Sequence, residues 1–113
     1  MSRDETTLAD ILRAARLVVV FADGMDIDAF LDDLKTQSAV LHQLMIIGEA
    51  VKRLSPTFRA AHSAIPWSLI AGMRDRLIHG YDAVDLDQVW NTVTRDIPDL
   101  LVQLRALLPD DNA

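Results

Sequence analysis

The chain has 113 residues, half of them apolar, which is enough for a single domain over residues 1–113 with a real core and too little for two. It contains no cysteine, so disulfides and thiolate metal sites are excluded. Its net charge of −6 speaks against a general nucleic-acid-binding surface, but that charge is unevenly spread. Between Ala50 and Tyr81, Lys52, Arg53, Arg59, Arg74 and Arg76 stand against Asp75 alone, a local charge of +4 that leaves −10 on the remainder. An acidic remainder would limit indiscriminate RNA binding while one segment stays attractive to phosphate.

The N-terminus carries Asp4, Glu5 and Asp10 before any apolar run, which does not fit a secretory signal. The longest uninterrupted apolar run, Leu17 to Ala22, is too short to span a bilayer. These features predict a cytoplasmic protein with no membrane partner.

The elements read as helices throughout. Ser2 with Glu5 forms a capping box, and Leu8, Ile11, Leu12, Ala15, Val18, Val19 and Ala22 then follow the helical period up to Gly24. The run Val18-Val19-Val20 is the only strand-like signal and lies inside that longer helical pattern. A short helix is expected around Asp28 to Leu34, with Phe30, Leu31 and Leu34 on one side. A long helix follows over roughly Gln37 to Leu54, placing Val40, Leu41, Leu44, Ile47, Gly48, Val51 and Leu54 inward. Glycine in mid-helix costs about 1 kcal/mol against alanine, which points to close approach of another helix at Gly48.

Ser55-Pro56 and Ile65-Pro66-Trp67 each read as a stop and restart. From Pro66 a helix should run to about His79 and end at Gly80. Asp85 with Gln88 caps the last helix, whose apolar face runs from Leu86 through Val89, Trp90 and Val93 to Leu108. Pro98 should kink it near Thr94, and Pro109 should end it, leaving 109–113 as a frayed tail. The sum is an all-α antiparallel bundle of four or five helices.

One segment stands apart from this packing pattern. Residues 74–81 read Arg74-Asp75-Arg76-Leu77-Ile78-His79-Gly80-Tyr81. Arginine presents a planar fork of donors to phosphate, and histidine is the side chain best suited to moving protons near neutral pH. On a regular helix Arg74 and His79 diverge by about 140°, whereas Asp75 and His79 share a face. Asp75 could therefore orient the imidazole, and Arg74 could join them only if the helix is distorted, if the substrate lies across its end, or if two motifs meet in a dimer. The dimer is chemically attractive because RNA cleavage through the 2′-hydroxyl needs both a general base and a general acid. Arg76, Lys52 and Arg53 are further candidates for RNA contacts. Set against this, an Arg-x4-His spacing arises often by chance, and a histidine near a helix end can be a simple cap. His42 reads as helix surface or packing, His62 as solvated, and Trp67 and Trp90 as packing residues. Asp82, Asp85 and Asp87 could hold a divalent ion, but charge at a helix start explains them more simply. No P-loop, HExxH or calcium-loop pattern is present, so no cofactor or metal is expected.

The run Leu44-Met-Ile-Ile-Gly-Glu-Ala-Val-Lys-Arg-Leu-Ser55, then Ile65-Pro-Trp67, then Gly72-Met-Arg-Asp-Arg-Leu-Ile-His-Gly-Tyr81, then Val84-Asp85 and Trp90, resembles the HepT-like HEPN toxins of MNT–HEPN (type VII) toxin–antitoxin pairs. The resemblance covers nearly the whole chain, and the ordered set of IGEA, IPW and R-x4-H-x-Y is far more specific than the last motif alone. It implies an all-helical homodimer with a composite cleft and a metal-independent endoribonuclease acting on RNA. Arg74 and His79 match the family's catalytic pair, with Asp75 at a polar position where many relatives carry asparagine. It also implies a cognate nucleotidyltransferase antitoxin that uses ATP to adenylylate Tyr81, the only tyrosine of the chain. The competing readings are a HEPN module that binds nucleotide or protein without cutting, and a plain helical interaction domain.

Overall fold

The computed structural model describes residues 2–79 and 83–108. Among these residues every regular element is helical, and the one β-type pairing is an isolated antiparallel bridge between Ile78 and Val84. The all-α expectation is met.

Helix α1 (Arg3–Phe21) begins where Ser2 accepts from the Glu5 N–H at 3.1 Å, and it ends before Gly24, whose φ of +75° no other residue type adopts cheaply. Its buried stripe includes Leu8, Ile11, Ala15 and Val18. Val19 lies outside that stripe, 40% exposed, because one further residue turns the side chain about 100° away. Helix α2 (Ile27–Leu31) is shorter than expected and starts at Asp26, whose carboxylate accepts from Ala29 N–H at 2.8 Å. Phe30 is buried against Trp90, ring centroids 5.1 Å apart, but Leu31 and Leu34 are exposed. The reason is that Asp33 caps a new helix at Leu34, so the three residues never share one helical face.

That new helix, α3 (Leu34–Arg53), is the spine of the fold. Val40, Leu44, Ile47, Val51 and Leu54 are buried as the periodicity requires, with Leu41 at the half-buried margin. Near its start, buried Gln37 donates to the carbonyls of Phe30 and Leu31, satisfying the end of α2. At Gly48 a Cβ would stand 3.5 Å from the Ile70 carbonyl oxygen and 3.7 Å from that of Ala71. These are ordinary van der Waals distances, so α5 packs beside α3 here but its approach does not itself require glycine.

The two restarts form as expected. Ser55 caps α4 (Pro56–Ala61), and α5 (Trp67–Ala71) follows Pro66. The second restart does not continue to His79. It breaks at Gly72, resumes as α6 (Met73–Leu77) and ends two residues before His79. Glycine's poor helix propensity permits the break, and the Ile78–Val84 bridge draws the chain off the helical path.

From Leu86 to Arg105 the chain forms one helical run: α7 (Leu86–Asn91), a π segment (Thr92–Asp96) and α8 (Ile97–Arg105). Pro98 has no N–H for the Thr94 carbonyl and would clash with it in a regular turn. The widened turn resolves this, with Ile97 N–H reaching back five residues to Thr92. The distortion falls where the proline predicts it. α8 packs on α1, and its buried face of Ile97, Leu100, Leu101 and Leu104 closes the core. The residues expected to fray, 109–113, lie outside the described ones.

Asp4 ties these helices together. Its carboxylate accepts from Ser55 N–H at 2.9 Å and Ser55 Oγ–H at 2.7 Å, while Ser55 Oγ accepts from Phe58 N–H at 3.1 Å. The start of α1 thus meets the end of α3, which fixes the two long helices as antiparallel. These donors favour the charged carboxylate and hold the Asp4 carboxyl below its ordinary value, the Ser55 backbone bond contributing most. A carboxyl depressed on folding stabilises the fold above its unfolded value of about 3.9 and loses that contribution as pH falls below it. Asp4→Asn should therefore lower the urea midpoint at pH 7, and its deficit against the parent should shrink between about pH 4 and pH 2.

Candidate active site

Helix α6 is a short stub held from below. Met73 and Leu77 are buried at one-turn spacing, which turns Arg74, Asp75 and Arg76 outward to solvent. After Leu77 the backbone becomes extended, with Ile78 at φ −120° and ψ 117°. The Asp85 N–H donates to the Leu77 carbonyl at 2.8 Å, and the His79 N–H donates to the Ala83 carbonyl at 2.7 Å. These bonds, with the Ile78–Val84 bridge, hold Ile78 and His79 against Ala83, Val84 and Asp85 at the end of α6. His79 is exposed.

This geometry corrects two expectations. His79 is off the helix, so the angular divergence calculated for a regular helix does not separate it from Arg74. For the same reason Asp75 and His79 do not share a helical face. Asp75 Oδ1 instead lies 3.7 Å from Arg74 Nη1, with both side chains more than half exposed. Such a pair contributes little to stability, but it biases where the guanidinium points.

The other cations are more dispersed. Arg76 Nη1 donates to the Leu69 carbonyl at 2.8 Å, closing an end of α5. Lys52 pairs with Glu49 at 3.3 Å, and with Arg53 it occupies the last turn of α3, where cations complement the helix dipole. Arg53 lines a groove between α1 and α3 with Asp10, Arg13 and His42. Neither Lys52 nor Arg53 lines the groove next to the motif. Exposed His42 fits its surface reading, whereas His62 is half-buried, its ring 4.5 Å from that of Phe58. Trp67 is buried with its indole N–H donating to the His62 carbonyl at 3.0 Å. Asp85 accepts from Gln88 N–H at 3.1 Å as the α7 cap, so helix-start charge accounts for it. Gly80, Tyr81 and Asp82 lie outside the described residues.

A groove of about 520 Å³ adjoins the motif, between α5–α6 and the π segment with α8. Met73, Arg76, Thr92 and Asp96 line it, and Leu69 and Val102 stand at it 60% and 69% exposed. The helical periodicity gave no sign of this groove, whose walls come from elements distant in sequence.

The ribonuclease HepT-like family profile matches residues 11–107. A protein of Thermococcus cleftensis named probable ribonuclease HepT is 46% identical over 93 residues, covering 82% of this chain and 84% of that protein. A Caldanaerobacter subterraneus protein, provisionally named an RNase, is 40% identical over 101 residues, 89% of this chain and 90% of its own. A similarly named Methanocaldococcus jannaschii protein is 36% identical over 103 residues, 91% and 85% of the two chains. No solved structure matches significantly. An exposed Arg/His motif on an all-helical frame and this breadth of similarity place the chain in the ribonuclease HepT-like family.

Because Asp85 both caps α7 and bonds to the end of α6, Asp85→Ala should cost about 1 kcal/mol in chemical denaturation through loss of the cap. Amide exchange of His79 should rise more than that of α1 residues if the end of α6 loosens with it.

Proposed function

We propose that this chain is a metal-independent endoribonuclease acting as the toxin of a toxin–antitoxin pair, with Arg74 and His79 as its catalytic residues. The observation that carries this reading is the solvent-facing placement of both side chains around one helix end, in a chain of a ribonuclease family. Each chain offers one motif histidine, so a homodimer joining two motifs supplies both proton-transfer groups. The exposed Leu69 and Val102 beside the motif support an apolar contact there.

In this mechanism one His79 takes the proton of the 2′-hydroxyl as its oxygen bonds to phosphorus. The second His79 protonates the departing 5′-oxygen. The bond from phosphorus to that oxygen breaks, leaving a cyclic phosphate and a free 5′-hydroxyl. Arg74 stabilises charge building on the non-bridging oxygens, and Asp75 acts as a positioning residue for Arg74. The whole of residues 1–113 serves as one domain in this account, working in the cytoplasm.

Silencing falls to a cognate MNT-type nucleotidyltransferase that uses ATP to place AMP on Tyr81, two positions past His79. The adduct would bring bulk and negative charge to the place where the RNA phosphate docks, and both oppose binding.

His79→Ala and Arg74→Ala should each slow RNA cleavage by about 10²–10⁴-fold with the helical fold retained. Full activity of His79→Ala, or loss of activity on chelating divalent metals, would contradict the assignment. Co-expression with the cognate transferase should add one adenylate mass to the Tyr81 peptide, and Tyr81→Phe should escape it. A fully neutralised but unmodified toxin would show inhibition by complex formation instead.

A further inference from the structure

Helix α2 turns more apolar surface outward than inward. Phe30 is its one buried residue, packed on Trp90. Ile27 and Leu31, one turn apart on the same helix, are both exposed. Leu34, in the first turn of α3, is 75% exposed, more than any other large apolar side chain among the described residues. It follows Leu31 by three positions. Gln37, one turn further along α3, donates to the Leu31 carbonyl at 3.1 Å, which holds the start of α3 against the end of α2. The three apolar side chains therefore belong to one corner of the molecule, and the core uses none of them.

The same corner is strongly acidic. From Asp23 to Asp33 there are five aspartates and no basic residue. Asp26 and Asp33 are occupied as caps of α2 and α3. Asp23, Asp28 and Asp32 are exposed and join no salt bridge among the described residues. Exposed apolar side chains within a charged rim are the composition of a protein docking surface.

The sign of that rim selects the occupant. The aspartates repel RNA and anionic lipid alike. A second copy seated across a twofold axis would set the same aspartates face to face, which complementarity forbids. A cationic partner with apolar anchors satisfies both features. We infer that Ile27, Leu31 and Leu34, rimmed by Asp23, Asp28 and Asp32, form a docking surface for a basic amphipathic segment of a partner protein. None of these residues belongs to the Arg74/His79 motif, so the inference stands independently of the ribonuclease reading.

The test selects a displayed library of random peptides on the full-length chain, with counter-selection on Leu31→Ser/Leu34→Ser. Both positions are exposed, so that variant should keep the helical circular dichroism and the urea midpoint of the parent. Peptides retained by the parent alone should combine net positive charge with recurring apolar residues. One such peptide, synthesised and titrated by fluorescence anisotropy, should bind the double-serine variant about tenfold more weakly. Asp28→Asn/Asp32→Asn, which leaves both capping aspartates in place, should also weaken it and flatten its salt dependence. Retained peptides without positive charge, or none that the double-serine variant fails to bind, would overturn the inference. Competition by poly-lysine as effective as by the peptide itself would reduce the corner to a charged surface and overturn it. A parent dimer that becomes monomeric in the double-serine variant would assign the corner to a second copy and overturn it as well.

Discussion

One backbone hydrogen bond, from Asp85 N–H to the Leu77 carbonyl, ties the end of α6 to the start of α7 and so sets where the Arg74/His79 segment leaves the helix. His79 follows as the second residue past Leu77, its own N–H donating to the Ala83 carbonyl. Had α6 continued to Gly80, the histidine would have pointed about 140° away from Arg74. The helix instead stops at Leu77 without a strained residue, since the described backbone has positive φ only at Gly24.

The rest of the fold supports this short stub. An isolated helix of five residues has no independent stability, so α6 exists because Met73 and Leu77 are buried in a core built by α1, α3 and α8. The Asp4–Ser55–Phe58 chain of hydrogen bonds fixes α1 against the end of α3, and the α5 backbone lies against the middle of α3 at Gly48. Pro98 and the π segment then shape the wall that faces α5 and α6 across the groove. Burial is concentrated in the long helices, and Arg74 and His79 stand exposed at the edge of that core.

Much of this was legible in the sequence because it depends on local rules. Periodicity set the buried stripes of α1, α3 and the last helix, and the caps at Ser2, Ser55 and Asp85 form as their spacing predicts. Pro98 marked its own distortion. The motif residues stood out by type and spacing. What the sequence hid depends on non-local contacts. The stop at Leu77 arises from a bond to Asp85, eight residues on. The exposure of Leu31 and Leu34 follows from Asp33 starting a helix that competes with α2.

The proposed cleavage site draws on the histidines of two chains, and subunit mixing separates that arrangement from cleavage within one chain. Wild-type chains are unfolded together with a rising fraction of His79→Ala chains, refolded, and assayed for RNA cleavage at constant total protein. In a symmetric dimer whose sites both use both histidines, only pairs of wild-type chains are active. Activity should then fall as the square of the wild-type fraction. A fall in simple proportion to that fraction would mean that each chain cuts with its own histidine, and the two-histidine account would be wrong.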